Sequence, residues 1–481
     1  MIYQPSFVAV AMFISFVLFV IVLSSWLGRR TKSAESYFAA GGTIHWSVNG
    51  IAFAGDYLSA ASFLGICGMI ATSGYDGFLY SIGYLAGWVV ALFVVAEPMK
   101  RLGKYTFTDA LDSKFNSKGI QLMAAISTLV VSMCYLIPQM VGAGALVTPL
   151  LGFPHYVGVI MVGSIVIFIV ATAGMASTTY VQFLKGGLLI VFSTVLVIML
   201  ARNGLSTKPN DKYHEFKTLT AQVAVGGAIS VQEEGYNVLG SQELDGHQFA
   251  KIEHEGLANW WHVVADGSGT KLEEALSITK TAAGEKLYNG APKADGKFYQ
   301  VGHMSRIVMD GKEVDSTGPV GLLKFLTLVN DGVVVRFKKA KVTDGGDTVA
   351  VYYQNPTPGS RVMRPGLKFK VDEGSKFWDK LNFISLMLAL FFGTSALPHI
   401  LIRYYTVPSP RCARKSTIVA ISAIGFFYVL TLFMGIGAMV SGVIDVESGN
   451  MSAPLLAKLF GVPLFAVISA IAFATILGTV S

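Results

Sequence analysis

Composition, charge and cysteine usage exclude several classes for this chain of 481 residues. Hydrophobic residues make up 53% and charged residues 14%, and the charges cluster in short stretches and one long polar block, as is typical of a multi-pass membrane protein. The net charge of +7 lies mainly in loops beside apolar segments, so nucleic-acid binding is not indicated. Three scattered cysteines predict neither a disulfide framework nor a metal cluster.

Apolar windows long enough to cross a bilayer predict about nine membrane spans. The first lacks a basic region before it and a small-residue cleavage site after it, so we expect a retained helix. The spans are predicted near residues 6–28, 45–73, 78–99, 120–150, 155–175, 178–202, 381–407, 415–441 and 459–481.

Basic residues in alternate loops predict the orientation of these spans. The positive-inside rule places such loops in the cytoplasm, so the N-terminus is expected outside the cell (inner) membrane. The residues concerned are Arg29, Arg30 and Lys32, then Lys100, Arg101 and Lys104, and finally Arg403, Arg411, Arg414 and Lys415.

The second span contains a polar interruption, "GIAFAGDYLSAASFLGI", at residues 50–66. An acid such as Asp56 inside a membrane span indicates a functional site, and a glycine such as Gly55 permits local unwinding that frees carbonyls for ions. We therefore predict that Asp56, Tyr57 and Ser59 bind substrate. The alternative for Ser59 and Ser62 is that they are small residues at a helix interface.

Hydroxyl groups in the last span offer further ligands. Thr475, Thr479 and Ser481 lie at four-residue or shorter spacing near the end of the chain, and Thr475 and Thr479 share one helical face. Such a face could share one ion with the second span, although threonine also bonds to its own helix backbone.

Two prolines mark other polar positions inside apolar spans. Gln139 follows Pro138, and an amide there is costly in lipid, so we predict that it lines a central cavity. Pro398 removes a helical hydrogen bond and frees carbonyls near Thr394, which we also predict to bind substrate.

Several charged or polar residues lie near the predicted cytoplasmic ends of spans. His399 is a candidate proton or carboxylate ligand, with a structural role as the alternative. Arg403 is predicted to be an interfacial anchor, and Lys185 is predicted to snorkel while Gln182 lies deeper.

The polar block at 203–380 changes character abruptly. Alternating β-formers such as "GVVVRFKKAKV" and turn signals such as "NDG" predict an inserted, β-rich extramembrane domain on the outer face. Its histidines match no metal-site spacing and are expected at the surface. Trp260 and Trp261 are expected in its core, with a ligand-contact patch as the alternative. The chain ends inside an apolar run, "FATILGTVS", which suggests a truncated product.

Several stretches together resemble the sodium:solute symporter family, and specifically its cation/acetate (monocarboxylate) branch. They cover nearly all of 1–202 and 381–481 and leave 203–380 unmatched. The stretches are "ESYFAAGGTIHW", "GIAFAGDYLSAASFLG", "EPMKRLGKYTFTDAL", "YLIPQMVGAG", "GMASTTYVQFLK" and "FISLMLALFFGTSALPHILIRYYTVPSPRCARKS".

This resemblance implies an all-α multi-pass membrane fold of two inverted five-helix repeats after one extra N-terminal helix, apparently truncated in the second repeat. It implies a cation site formed by backbone oxygens of Gly55 and Leu58, the carbonyl of Thr475 and the hydroxyl of Thr479. Gly478 stands where several sodium-coupled relatives have serine, so sodium is the first expectation for the coupling ion and a proton the second.

The expected function is secondary active symport of a small monocarboxylate such as acetate, with no catalytic residues. The expected partners are that substrate, Na⁺ or H⁺ and the lipid bilayer; the partner of the inserted domain is unknown. The alternative is a membrane sensor or adaptor whose transporter-like half senses substrate while the outer domain binds a ligand.

Overall fold

The structure is a computed structural model that describes residues 6–28, 33–102, 105–172, 174–210, 213–223, 229–244, 246–266, 269–295 and 297–480. The predicted loop residues Arg29, Arg30, Lys32 and Lys104, and Ser481 at the C-terminus, lie outside the described residues. The chain divides into two compact units, one helical and one rich in β-strands.

The helical unit comprises residues 5–202, 363–438 and 448–481. Its first segment contains ten helices, and π-helical turns at Ala61–Gly65 and Ala91–Val95 join α3 to α4 and α5 to α6. They are α1 (Phe7–Gly28), α2 (Ala34–Ala39), α3 (Trp46–Tyr57), α4 (Ile66–Ser73), α5 (Tyr75–Val90), α6 (Ala96–Leu102), α7 (Phe107–Phe115), α8 (Lys118–Leu151), α9 (His155–Thr172) and α10 (Met175–Asn203).

The β-rich unit comprises residues 203–362 and 439–447. Its two larger antiparallel sheets have the strand orders β2-β1-β6-β5-β4-β3 and β15-β10-β13-β14-β7-β8-β9. The elements are β1 (Thr218–Val223), β2 (Ile229–Val231), β3 (Tyr236–Leu244), β4 (His247–His254), β5 (Leu257–Asp266), β6 (Gly269–Glu274), β7 (Leu276–Lys280), β8 (Lys286–Tyr288), β9 (Ala291–Pro292), β10 (Val301–Arg306), β11 (Val308–Met309), β12 (Lys312–Glu313), α11 (Leu322–Asp331), β13 (Val333–Asp344), β14 (Asp347–Pro358), α12 (Gly359–Val362) and β15 (Ser441–Ile444).

Helices resume after the β-rich unit. They are α13 (Phe377–Ser395), α14 (Pro398–Leu401), α15 (Pro410–Val440), α16 (Ser452–Leu459) and α17 (Val462–Val480), with a 3₁₀ segment at Ile402–Tyr405. Among the described residues, seven helices or joined helices are long and apolar enough to cross a membrane, and the bent pair α3–α4 makes an eighth. The remaining predicted span, 155–175, corresponds to α9, which is apolar but shorter.

Burial in these helices is arranged as a bilayer requires. On α8, large apolar side chains such as Leu129 and Ile137 are exposed, whereas Gln139 and Gly142 are buried. Lipid-facing surfaces are apolar, and small or polar residues mediate contacts between helices. The predicted multi-pass membrane character is therefore confirmed.

The structural boundary between the units lies at Val362, whereas the sequence placed it near residue 380. The carboxylate of Asp76 at the start of α5 accepts backbone hydrogen bonds from Gly366, Lys368 and Phe369, which attaches this stretch to the helical unit. Strand β15 pairs with β10, so a segment after α15 also contributes to the β-rich unit.

The β-rich unit has two hydrophobic clusters. Trp260 packs with Phe249 and Tyr353, and Trp261 lies in the second cluster, so both tryptophans belong to the core. The expectation of surface histidines is wrong for His262, which is buried beside His247 and Tyr353. Among the described residues, no group of three or more His, Cys, Asp or Glu side chains could hold a metal ion.

Candidate functional site

The second span is broken at the polar interruption. Helix α3 ends at Tyr57, and the two halves of the span are bent by 65°. The N–H of Ser59 donates to the Tyr57 carbonyl (2.8 Å) and to the hydroxyl oxygen of Ser62 (2.7 Å), which ends the regular helical pattern. The hydroxyl of Ser62 in turn donates to the Tyr57 carbonyl at 2.7 Å. The two serines therefore stabilise the break itself.

Gln139 provides the second support for this break. Its Oε1 accepts a hydrogen bond from the N–H of Ala60 at 3.0 Å, and that N–H would otherwise donate to the Asp56 carbonyl in a continuous helix. The Asp56 carbonyl accepts instead from the hydroxyl of Thr479 at 3.3 Å. The Gly55 carbonyl also lacks its regular helical donor, because the N–H of Ser59 donates to the Tyr57 carbonyl and the Ser62 hydroxyl instead. The opened helix thus presents the Asp56 carbonyl oxygen to α17.

Asp56 forms a buried ion pair with Arg403. The Nε atom of Arg403 lies 2.5 Å from Oδ2 of Asp56, and the guanidinium also donates to the hydroxyl of Thr179. Arg403 is 2% exposed and Asp56 is 9% exposed. The prediction that Arg403 is an interfacial anchor is therefore wrong.

The break near Pro398 explains the position of Arg403. Helix α13 ends at Ser395, and Pro398 begins the short helix α14, where its missing N–H costs no hydrogen bond. The chain continues into the 3₁₀ segment that carries Arg403. A continuous helix would have placed this arginine differently, so the proline-induced break brings the guanidinium to Asp56.

A cavity of about 330 Å³ lies beside this ion pair. Asp56, Arg403, Thr178 and Thr479 contribute to its wall. His399 and Tyr135 also line it, with their ring centroids 4.5 Å apart. Nε2 of His399 is buried and has no hydrogen-bond partner among the described residues.

The residues predicted to bind a cation occur at the end of α3 and in α17, and these two helices are connected through Thr479. The hydroxyl of Thr479 reaches both the Asp56 carbonyl and, at 2.8 Å, the Thr475 carbonyl. Gly55 packs so closely on α10 that a Cβ atom there would lie 2.1 Å from the Gln182 carbonyl oxygen. Leu58 is fully buried at the end of α3.

Lys185 occupies this same region, so the prediction that it snorkels to the membrane surface is wrong. Its side chain is buried, and Nζ donates to the Thr475 carbonyl at 3.2 Å. Gln182 is buried as expected, and its Nε2 donates to the Gly478 carbonyl. Two side chains of α10 therefore bond the backbone of α17.

The other predicted substrate residues occupy different positions. Tyr57 packs its ring against Tyr84 and Trp88, and Thr394 packs beside Gly87 of α5. Together with Ser59 and Gln139 they support helix contacts or the break. The described residues that line the cavity include Asp56 from the predicted substrate ligands and His399, the candidate proton or carboxylate ligand.

Arg403, Lys185 and Thr179 are the site residues that sequence reasoning missed. Arg403 and Lys185 carried a usable signal, because a charged residue in an apolar span points to function unless an interfacial position explains it. Both residues lie near the predicted ends of spans, so an interfacial position offered an explanation of their charges. Thr179 carried no comparable signal, since a helical threonine commonly bonds its own backbone, as this one also does.

Comparison with known proteins identifies the relatives of this chain. The sodium:solute symporter family matches residues 37–238 and 333–481. The uncharacterized symporter YwcA of Bacillus subtilis is 31% identical over 98% of this chain, and the monocarboxylic acid transporter of Corynebacterium glutamicum is 32% identical over 98%. The chain spans 65% and 64% of the lengths of these two relatives.

A solved structure of a Na⁺-coupled sialic acid symporter, in a substrate-bound outward-open state, shares the fold. Its TM-score is 0.57 at 12% sequence identity, over 99% of this chain and 70% of the symporter. The family match covers most of the chain and includes the broken second span, the Asp56–Arg403 pair and α17. The chain therefore belongs to the sodium:solute symporter family.

Proposed function

We propose that this chain carries a small monocarboxylate across the membrane together with a cation, as the site-bearing part of a secondary active symporter. The family is one of solute symporters, and one relative is named a monocarboxylic acid transporter. The chain spans less than two thirds of the length of that relative. We therefore propose this activity for the whole protein that contains the site.

The observation that carries the proposal is the buried guanidinium of Arg403 at the cavity wall. A planar guanidinium donates two parallel hydrogen bonds to a carboxylate, which makes arginine the residue suited to acid recognition. Asp56 accepts from Nε and Thr179 accepts from Nη1 of this group, and we propose that other N–H groups of Arg403, which lines the cavity, bind the substrate carboxylate. His399, with its unpartnered Nε2, supplies a further polar contact in the same cavity.

The cavity has room for a small acid. A volume of about 330 Å³ lies within the range for small-molecule sites, so the cavity has room for a small acid such as acetate or pyruvate but does not select for its size. The proposed substrate residues are therefore Asp56 and Arg403. The proposed cation region comprises the carbonyls of Gly55, Leu58 and Thr475 and the hydroxyl of Thr479.

The driving force is the gradient of the coupling cation, sodium or a proton. Sodium is supported by the family and by the Na⁺-coupled structural neighbour. A monocarboxylate that enters with one monovalent cation carries no net charge, so the membrane potential, about 2.3 kcal/mol per charge per 100 mV, acts only if further cations accompany it.

Exchange of labelled acid in proteoliposomes tests this proposal. Vesicles containing the purified protein and unlabelled acetate or pyruvate should take up the labelled acid by exchange, without any imposed gradient. We expect Arg403→Gln to reduce this exchange about tenfold or more, because it leaves Asp56 buried without its partner and removes the carboxylate ligand. Arg411→Gln, an exposed arginine at the start of α15, is the matched control. Wild-type exchange of neither acid, or full exchange by Arg403→Gln, would contradict the proposal.

A further inference from the structure

The buried amide of Asn49 contacts the backbone of Arg403. Asn49 lies near the start of α3, and its Nδ2 donates to the Arg403 carbonyl at 3.2 Å. This carbonyl belongs to the 3₁₀ segment Ile402–Tyr405, and the N–H of Thr406 reaches it at 3.4 Å, which is long for a hydrogen bond. A buried carbonyl at the end of a helical segment needs a donor from elsewhere in the fold. Asn49 supplies that donor.

The same amide belongs to a hydrogen-bonded network of buried groups. Nδ2 of Asn49 also donates to the hydroxyl oxygen of Ser416 in α15 at 3.0 Å, and Oδ1 accepts from the hydroxyl of Thr406 at 2.8 Å. The Thr406 hydroxyl oxygen lies 2.8 Å from the Arg403 carbonyl as well. Asn49, Thr406 and Ser416 are all fully buried. Because any shift would leave a buried polar group unpaired, such a network fixes one arrangement of the backbone.

Two positions on α3 therefore hold the two ends of one arginine. Asn49 and Asp56 are seven residues apart, so they lie on the same face of the helix, about 10 Å apart along its axis. Asn49 bonds the main chain of Arg403, and Asp56 bonds its guanidinium. The direction in which the side chain of Arg403 extends is set by both contacts.

Recognition of a carboxylate depends on that direction. A guanidinium binds a carboxylate through parallel hydrogen bonds from a planar group, so the plane has to face the ligand. A binding group of this kind has to be held within about 0.5 Å of its productive position by the residues around it. A displacement of the main chain at Arg403 would move the whole guanidinium relative to the cavity.

We propose that Asn49 is the positioning residue of the acid site, which directs the guanidinium of Arg403 toward the substrate carboxylate by holding the Arg403 carbonyl. This inference rests on the proposed function and adds a residue that sets the affinity for the acid. Asn49 acts through Arg403 and does not itself bind the substrate. The competing explanation is that the amide serves only to join α3 to α15 through Ser416, which would affect stability and not affinity.

The acid concentration that gives half-maximal exchange in proteoliposomes distinguishes these two roles. We expect Asn49→Ala to raise this concentration about tenfold for both acetate and pyruvate, because the Arg403 carbonyl loses a buried donor and the guanidinium loses its fixed direction. The maximal exchange rate per folded protein should change much less. A purely structural role would lower the melting temperature and the amount of active protein, and leave the half-maximal concentration unchanged.

Thr406→Val is a second variant that leaves α3 intact, and it decides the question if Asn49→Ala does not fold. Valine keeps the shape of threonine but loses the hydroxyl that contacts Asn49 and the Arg403 carbonyl, so the half-maximal concentration should rise severalfold. Thr417→Val is the matched control. The Thr417 hydroxyl is equally buried and donates to the hydroxyl of Tyr404, in the same 3₁₀ segment, at 3.4 Å. This control should keep the wild-type half-maximal concentration.

A double-mutant cycle shows whether Asn49 acts through Arg403. In the background of Arg403→Gln, the guanidinium that Asn49 positions is absent. Asn49→Ala should therefore add little to the loss of affinity that Arg403→Gln causes alone, whereas two independent effects would multiply.

The outcomes separate this inference from the proposed function. If the wild type exchanges neither acetate nor pyruvate, the proposed function fails and the role of Asn49 fails with it. If the wild type exchanges both acids and neither Asn49→Ala nor Thr406→Val changes the half-maximal concentration, the function stands and the role of Asn49 is overturned. Equal increases in Thr406→Val and Thr417→Val, or a full additional effect of Asn49→Ala in the Arg403→Gln background, would also overturn that role.

Discussion

Asp56 and Arg403 depend on each other at the residue scale because each compensates a buried charge. Removing one partner of a buried ion pair is strongly destabilising, typically by about 3–5 kcal/mol, since it leaves the other charge without compensation. Thr179 supplies a hydrogen bond to the guanidinium but no charge. The carboxylate of Asp56 thus holds Arg403 in place and balances its buried charge.

We expect Asp56→Asn to reduce acid exchange about tenfold or more, because the amide keeps the shape but not the charge. Ser193→Ala is the better control than Ser62→Ala, because the buried hydroxyl of Ser193 has no hydrogen-bond partner in the described part of the chain, whereas Ser62 bonds the broken helix. The rate of acid exchange is measured in proteoliposomes for both variants. Equal rates for Asp56→Asn and wild type would remove this carboxylate from the mechanism.

Sequence reasoning selected Asp56, Gly55 and Thr479 as candidate site residues but did not find the partner of Asp56. The first three were recognisable because an acid, a helix-breaking glycine and a hydroxyl are unusual in apolar spans. The position of Arg403 was misjudged because this residue lies close in the sequence to the polar loop at 409–415, which suggested that it lies at the membrane surface. Only the break at Pro398 places it inside, and hydropathy does not report where a broken span redirects its side chains.

At the scale of elements, glycine contacts set the distance between α3 and α10. A Cβ atom at Gly186 would lie 2.9 Å from the Cα atom of Gly55, whereas one at Gly187 would meet nothing within 4 Å. Close approach of these backbones allows the side chains of Gln182 and Lys185, from the same helix, to reach α17. The small residues therefore determine the geometry of the cation region.

We expect Gly186→Ala to lower the melting temperature and the exchange rate, because the added methyl group forces the two helices apart. Gly187→Ala should be neutral or slightly stabilising, since alanine is favoured over glycine in a helix by about 1 kcal/mol. Thermal unfolding of the two purified variants makes the comparison. Identical behaviour of the two would show that this contact does not constrain the site.

The spans and the β-rich insertion were predictable as elements because hydropathy and alternation are local signals. Two features were not. Strand β15 has only four residues and joins a sheet whose other strands lie far away in the sequence. The attachment of residues 366–369 includes backbone hydrogen bonds to the carboxylate of Asp76, a long-range contact that no local pattern reports.

At the scale of the whole molecule, the β-rich unit should respond to acid. Burial lowers the pKa of His262 to about 4, with a smaller effect of His247, and burial lowers the pKa of His303 to about 4. An unfolded histidine titrates near 6.5, so between these values the unfolded chain binds more protons and the folded unit loses stability as pH falls.

We expect the β-rich unit to be less stable at pH 5 than at pH 7, by about 1–2 kcal/mol for each of the two histidines. Hydrogen exchange of peptides from β4, β5 and β10, corrected for the intrinsic effect of pH, measures this change. His303→Gln should have a smaller pH dependence than the wild type. An unchanged pH dependence in this variant would contradict the assignment.

The proposed orientation also belongs to this scale. With Cys67, Cys134 and Cys412 replaced by alanine, single cysteines are introduced by Lys338→Cys in β13 and Arg411→Cys in α15, both at exposed positions. A membrane-impermeant maleimide applied to intact cells should label the first and not the second, because the β-rich unit is proposed to be outside and the basic loop inside. The reverse labelling would invert the orientation.

Protection of a cysteine in the cavity tests the central claim, that a carboxylate binds beside Asp56 and Arg403, most directly. Thr178 lines the cavity next to these residues, so Thr178→Cys in the same cysteine-free background reports occupancy through its rate of alkylation. We predict that saturating acetate or pyruvate slows alkylation severalfold, and that Arg403→Gln abolishes this protection. An alkylation rate unaffected by either acid, in protein that still exchanges them, would contradict the account.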